Sequence, residues 1–96
     1  MPVGEATIVR EVALARHHVA TGKTRHYRDG ALLDRPVRLI IVRFSDGYNL
    51  IHLDSQGGEM TDTFHETVDE AMDQASFEFS IKPEEWEGVN KPYPVG

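Results

Sequence analysis

Two apolar runs joined by a short turn constrain the fold of this chain more than any other feature. The β-branched, alternating pattern of residues 35–44 predicts a strand that is covered on at least one face and central in its sheet. Asp46-Gly47 follows, and this pair between apolar runs favours a type I′ hairpin turn, because both central positions of that turn have positive φ. We therefore expect a second strand over residues 48–53.

Further strands are predicted on both sides of this hairpin. Residues 54–58 are typical of a longer turn, and residues 60–64 are expected to form the third strand of an antiparallel meander. Residues 7–19 have apolar positions at helical spacing, but their Val and Ile content and the following Thr21-Gly22 favour a strand. Strand and helix both remain open for that segment.

A capping box predicts the start of a helix at Thr67. The Thr67 hydroxyl is expected to accept from the Glu70 amide, while the Glu70 carboxylate accepts from the Thr67 amide. Over residues 67–79 apolar side chains recur every 3.6 residues, so one face should pack on the sheet. These side chains are Val68, Ala71, Met72, Ala75 and Phe79.

The end of the chain should add little regular structure. Pro83 is expected to end the helix, because a residue before proline is disfavoured in helical geometry. Residues 84–86 should form a single helical turn that folds Trp86, the only tryptophan, onto the domain edge. The tail from Asn90 is expected to fray.

Length and composition point to one domain over residues 1–96. A chain of 96 residues, 40% hydrophobic and 27% charged, has room for one core and is too apolar for a disordered protein. We predict an α+β two-layer sandwich, in which the main helix covers one face of an antiparallel sheet of three or four strands.

The absence of cysteine excludes a disulfide framework, a thiolate nucleophile and any cysteine-ligated metal site. No apolar run approaches the ~20 residues that cross a bilayer, and the N-terminus lacks the charged-then-apolar pattern of a signal peptide. We therefore expect a cytoplasmic protein without a membrane segment.

Charge is distributed unevenly along the chain. Residues 1–46 carry eight basic and five acidic side chains, a net +3, whereas residues 47–96 carry two and eleven, a net −9. The helix contributes Asp69 and Asp73, like charges one turn apart that do not favour an isolated helix. Solvation accounts for such a face, and so does a basic partner. Asp69, Asp73 and Trp86 are accordingly the candidate partner-binding residues.

No complete catalytic constellation is present. Ala20-Thr21-Gly22-Lys23-Thr24 is similar to the end of a phosphate-binding loop, but His17 stands where that loop needs glycine. The histidines, including His52 and His65, have no metal-site spacing and are expected at the surface or at a helix cap. We predict no enzyme activity, no metal and no cofactor.

Arg25-His26-Tyr27-Arg28 is the most basic stretch with an aromatic residue inside it. Arginine suits phosphate and carboxylate groups, so nucleic-acid contact is one interpretation of this stretch. The sequence pI of about 5.2 and the acidic second half make it the less favoured one. Pairing with the domain's own carboxylates is the other interpretation.

The last third of the chain resembles a group of small bacterial proteins of uncharacterised function, a resemblance that implies no particular activity. It rests on Asp62-Thr63-Phe64-His65-Glu66-Thr67, Glu70-Ala71, Gln74-Ala75, Phe77-Glu78-Phe79 and Lys82-Pro83-Glu84-Glu85-Trp86.

A second similarity, in architecture, is to HicB-type antitoxins. It rests on Asp46-Gly47-Tyr48 between two strands and on the T-x-x-E-A pattern from Thr67 to Ala71. That family's partial RNase-H-like domain holds a toxin, so the resemblance implies a protein partner.

The leading hypothesis from the sequence is a non-catalytic protein-binding module, with its interface on the acidic helix face or on an exposed sheet edge. The alternative is an antitoxin-like or RNA-contacting regulator that uses residues 25–28, and a metal-dependent enzyme is the third choice. A sheet edge would also allow two copies to pair as a homodimer.

Overall fold

The computed structural model describes residues 6–15, 27–28, 31–32 and 36–93, with the backbone alone for 27–28 and 31–32. The elements in chain order are strand β1 (Ala6–Ala13), β2 (Tyr27–Arg28), β3 (Ala31–Leu32), β4 (Arg38–Phe44), β5 (Gly47–Leu53), β6 (Glu59–His65), helix α1 (Val68–Phe79), a 3₁₀ turn (Pro83–Glu85) and β7 (Glu87–Tyr93). None of the helices in these ranges has the length and apolar character needed to span a bilayer.

Five of the strands form one antiparallel sheet in the order β6-β5-β4-β1-β7, and β2 pairs with β3 in a separate hairpin. The predicted α+β sandwich with a central β4 is confirmed, but the sheet has five strands rather than three or four. Strand β1 settles the ambiguity of its segment in favour of a strand, as far as Ala13. Residues 16–19 lie outside the described ranges.

The prediction of a frayed tail from Asn90 is wrong as far as Tyr93. The outer edge of β1 offers unpaired backbone groups, and β7 pairs with it from Glu87 opposite Glu11 to Tyr93 opposite Ala6. The chain therefore returns after α1 to the sheet edge opposite β6.

The β4–β5 hairpin is confirmed, but its turn is not the expected type I′. Ser45 and Asp46 are the two turn residues, and Ser80 alone among the described non-glycine residues has a positive φ. Gly47 instead opens β5 with a φ of 154°. A Cβ there would lie 2.5 Å from the Phe64 ring, so close contact with β6 is what requires glycine at this position.

One face of the sheet packs against α1 and the segment that follows it. Because side chains alternate along a strand, β4 sends Leu39 and Ile41 to this face and β5 sends Leu50. The helix contributes the face predicted from its periodicity, with Ala71, Ala75 and Phe79 fully buried and Val68 and Met72 partly so. Ile81 and Trp86 complete this core.

The opposite face carries a second buried cluster of Ala6, Ile40, Val42 and Ile51. Tyr93 packs edge-on against Phe44, with ring centroids 6.5 Å apart, and its hydroxyl donates to the Glu59 carboxylate at 2.8 Å. Tyr93 belongs to one edge strand and Glu59 to the other. The twist of the sheet therefore brings its two edge strands, β6 and β7, into contact above the second cluster.

Both ends of α1 differ in detail from the capping prediction. The Thr67 hydroxyl accepts from the Glu70 amide at 3.1 Å, as expected, but the Glu70 carboxylate accepts from the Glu66 amide at 3.2 Å rather than from Thr67. At the other end Ser80 has left-handed geometry, and its N–H bonds the Ser76 carbonyl at 2.9 Å. The helix therefore ends by this cap, three residues before Pro83.

Candidate protein-binding surface

The outer face of α1 presents Asp69 and Asp73 to solvent, one turn apart. Asp69 lies in the first turn, where the helix dipole favours a negative charge, whereas Asp73 gains little from the dipole and repels Asp69 by a few tenths of a kcal/mol. In the described part of the chain neither carboxylate has a salt bridge. Within the described residues, no cation therefore compensates their charge.

Strand β6 continues this negative character along an edge of the sheet. Asp62 is exposed and accepts a hydrogen bond from the Asn49 side chain at 2.8 Å. This bond holds its carboxylate on the face of the sheet that carries the second buried cluster, which we call the curled face. Glu59 accepts from Tyr93 on the same face. Burial of the phenol, together with this hydrogen bond, raises the pKa of Tyr93 to about 12.

We define the acidic surface as the exposed carboxylates of β6, α1 and their connection: Glu59, Asp62, Glu66, Asp69, Glu70 and Asp73. No lysine or arginine occurs in the sequence between Arg43 and Lys82. The β6–α1 unit therefore has no cation of its own to neutralise this surface, which gives it a negative potential.

Two aromatic side chains are exposed beside these carboxylates. Phe64 of β6 is 53% exposed, although its ring edge rests on Gly47, and Phe77 of α1 is 46% exposed. Rigid, half-exposed aromatic rings are typical anchor residues of protein interfaces. The sequence analysis did not identify either residue as a candidate for binding. Alternation and helical periodicity predict the direction in which a side chain points, but they do not predict how exposed it is.

Trp86, the third predicted partner-binding residue, is buried in the core between sheet and helix rather than exposed. The 3₁₀ turn positions it: the Lys82 amide donates to the Glu85 carboxylate at 2.8 Å, and the Trp86 amide bonds the Pro83 carbonyl. Its indole N–H has no hydrogen-bond partner in the described structure. The structure thus separates Trp86 from Asp69 and Asp73, and its burial stabilises the fold.

His52 and Glu78 form a buried pair that the sequence analysis did not predict. The His52 Nε2 atom lies 3.1 Å from a Glu78 carboxylate oxygen, and the two residues are 2% and 3% exposed. The Gln74 amide donates to the other oxygen at 2.7 Å, and the His52 ring packs edge-on against Phe79, with centroids 5.7 Å apart. This pair joins the C-terminal half of α1 to the C-terminal end of β5.

The surface prediction for His52 is wrong, and the burial of Glu78 has the same cause. His52 alternates with Ile51 and Leu53 and therefore faces α1, and Glu78 follows Ala71 and Ala75 at helical spacing. The periodicity was thus a signal for burial, but polar residues at such positions are buried only when they are paired.

A second buried carboxylate, Glu11, lies on the curled face. Lys91 and Arg38 donate to its two oxygens at 2.9 and 3.1 Å. The Lys91 hydrogen bond, supported by both positive charges and opposed by burial, lowers the pKa of Glu11 below its usual value. An open depression of about 450 Å³ beside it is lined by Glu11, Arg38, Glu85, Glu87 and three small apolar residues. Glu11 is fully engaged there by its own cations.

The remaining predicted site residues are Arg25, His26, Tyr27, Arg28 and His65. Arg25 and His26 lie outside the described residues, and Tyr27 and Arg28 are described by backbone only. His65 is half-buried and bonds the Thr63 hydroxyl at 2.8 Å rather than capping α1. Across the described ranges, no three histidine or acidic side chains are grouped closely enough to hold a metal ion.

Comparison of the chain with protein-family models, curated proteins and solved structures finds no match in any of the three. The resemblances to small bacterial proteins and to HicB-type antitoxins therefore stay predictions from the sequence.

Proposed function

We propose that this protein is a non-catalytic protein-binding module whose acidic surface binds a basic segment of a partner protein. The observation that carries the proposal is the exposed pair Asp69 and Asp73, which has no salt bridge within the described structure. The dipole of α1 favours Asp69, but Asp73 gains little from the dipole and repels Asp69, so the stability of the helix does not account for Asp73.

The charge of the whole surface favours the same kind of partner. Six exposed carboxylates on one continuous segment, without an intervening lysine or arginine, attract a basic surface and repel an acidic one. The half-exposed rings of Phe64 and Phe77 add apolar contact area. Association should therefore be fast and should weaken as salt screens the charges.

A pull-down with a charge-reversed variant tests the proposal. Asp69→Lys/Asp73→Lys should lose the proteins that the wild type captures at low salt, while its circular dichroism spectrum stays native because both side chains are exposed. The matched control is Asp46→Lys/Glu84→Lys, which makes the same change in net charge at two exposed carboxylates outside the acidic surface. Equal capture by both variants would refute the proposal.

The alternative from the sequence, an antitoxin-like or RNA-contacting regulator, depends on residues 25–28 rather than on the acidic surface. It predicts RNA or DNA binding that falls steeply with salt concentration. A gel-shift series at low salt separates the two hypotheses, because the acidic-surface module should leave both nucleic acids unbound. The metal-dependent enzyme, the third hypothesis, predicts bound metal in the purified protein.

A further inference from the structure

The two edges of the main sheet differ in their capacity to accept another strand. At one edge, β7 contains Pro92, which has no N–H to donate, and its Lys91 places a charge beside the strand. At the other edge, β6 contains neither proline nor lysine, and β5 is its single hydrogen-bonded neighbour among the described strands. Among the described residues, β7 therefore carries proline and lysine, which hinder the addition of a further strand, and β6 carries neither.

The geometry of β6 suits strand addition over most of its length. One irregularity lies near its start, between the pairs formed by His52 and Leu53, and residues 61–65 then pair with β5 in continuous register. The outer side of that stretch offers backbone donors and acceptors that a strand needs. An added strand would be about five residues long.

Side chains along β6 indicate the chemistry of such a strand. Asp62 and Phe64 project from the curled face, next to Ile51 and Asn49 of β5. A carboxylate followed two residues later by a half-exposed aromatic ring favours arginine, which can pair with the first and stack on the second. The other face carries Thr61 and Thr63, beside which β-branched side chains pack well.

The same charges disfavour a second copy of this chain at β6. Antiparallel pairing of two copies about the middle of Glu59–His65 would set Asp62 directly opposite Asp62 of the other copy. Like charges opposite one another destabilise a strand pair. The occupant that fits is a basic segment of another protein.

We infer that β6 binds an extended, arginine-bearing segment of a partner protein as a sixth strand of the sheet. This inference rests on the proposed function and specifies how the acidic surface is used: the partner's backbone pairs with β6, its arginines contact Asp62 and Phe64, and the carboxylates of α1 add attraction beyond the strand.

Synthetic peptides test the inference. An eight-residue peptide of alternating arginine and valine should bind in calorimetry and should slow hydrogen exchange of β6 amides in NMR spectra. The same peptide methylated at every backbone nitrogen keeps its charge but cannot form strand hydrogen bonds, so it should bind at least about tenfold more weakly. Asp62→Asn should weaken the unmethylated peptide about two- to fivefold, whereas the control Glu84→Gln should not.

Three results would overturn the inference. The methylated peptide could bind as tightly as the unmethylated one, the peptide could slow hydrogen exchange of β7 amides instead of β6 amides, or neither peptide could bind. Concentration-dependent protection of β6 without any peptide would also overturn it, because a second copy would then be the occupant. None of these results decides the proposed function, which the Asp69→Lys/Asp73→Lys pull-down tests independently.

Discussion

Among the described residues, each face of the sheet buries one glutamate, and the two glutamates have different kinds of partner. On the helix face Glu78 pairs with His52, and both are almost completely shielded from water. On the curled face Glu11 pairs with Arg38 and Lys91, whose side chains are 45% and 56% exposed. The comparison indicates that access of the partners to water, more than the number of contacts, decides how much each pair matters for stability.

The largest effect is expected on the helix face. His52→Leu keeps an apolar side chain of similar size but leaves the Glu78 carboxylate buried without its imidazole partner. The free energy of unfolding should fall by about 3 to 5 kcal/mol. Urea unfolding followed by fluorescence of Trp86, the only tryptophan and a core residue, measures the change.

The double variant His52→Leu/Glu78→Met is the control for this experiment. It removes both polar groups together, so it should recover most of the lost stability and leave the protein near the wild type. If the double variant is as unstable as His52→Leu, the cost comes from packing and not from a buried carboxylate that has lost its imidazole partner.

A smaller effect is expected on the curled face. Glu11→Gln removes the negative charge that pairs with Arg38 and Lys91, whose side chains keep their contact with water. The free energy of unfolding should therefore fall by about 1 to 2 kcal/mol at neutral pH. The difference in the free energy of unfolding between Glu11→Gln and the wild type should also become smaller in about 1 M salt, which screens exposed charges. A loss as large as that of His52→Leu would remove the distinction between the two faces.

The pH dependence of this difference in stability follows from the lowered pKa of Glu11. The folded protein holds the charged carboxylate more strongly than the unfolded chain, so its contribution is complete above the ordinary glutamate pKa of about 4.3. It is lost as the pH falls through the lower folded-state value. The stability of the wild type and of Glu11→Gln should therefore converge in acid and stay apart at neutral pH.

The smallest effect is expected where the edge strands β6 and β7 meet. Tyr93→Phe keeps the edge-on contact with Phe44 and removes the hydrogen bond to Glu59, which should cost about 0.5 to 1.5 kcal/mol. The pKa of Tyr93 is raised to about 12 in the folded protein, so its contribution is complete below about pH 10 and declines as the pH approaches 12. A stability difference that does not change over that range would contradict this role.

Much of the fold could be predicted because its signals are local. The Thr67–Glu70 hydrogen bond spans four residues, and the β4–β5 hairpin joins neighbouring strands, so short sequence patterns contain both, although the turn is Ser45-Asp46 and not the predicted type I′ turn. The candidate site was predicted in part. Asp69 and Asp73 are exposed as expected, whereas Phe64 and Phe77 were missed and Trp86 proved to be buried.

The rest depends on contacts between distant parts of the chain. β7 is a strand because β1 lies beside it, and 34 positions separate the Tyr93 hydroxyl from the Glu59 carboxylate that accepts its hydrogen bond. No local pattern at Asn90 or Pro92 predicts such a neighbour, since proline and a polar composition are also typical of frayed tails.

The sequence by itself determined that β4, β5, β6 and α1 form, which way most of their apolar side chains face, and where negative charge accumulates, because periodicity, capping and charge are properties of neighbouring residues. Only the tertiary structure decided that His52 and Glu78 share the core, that Trp86 is buried, and that β6 and β7 are the edge strands of the described sheet. The physical reason is that burial and pairing depend on which surfaces pack together. A sequence pattern predicts which way a side chain points, but it does not say which part of the chain lies opposite.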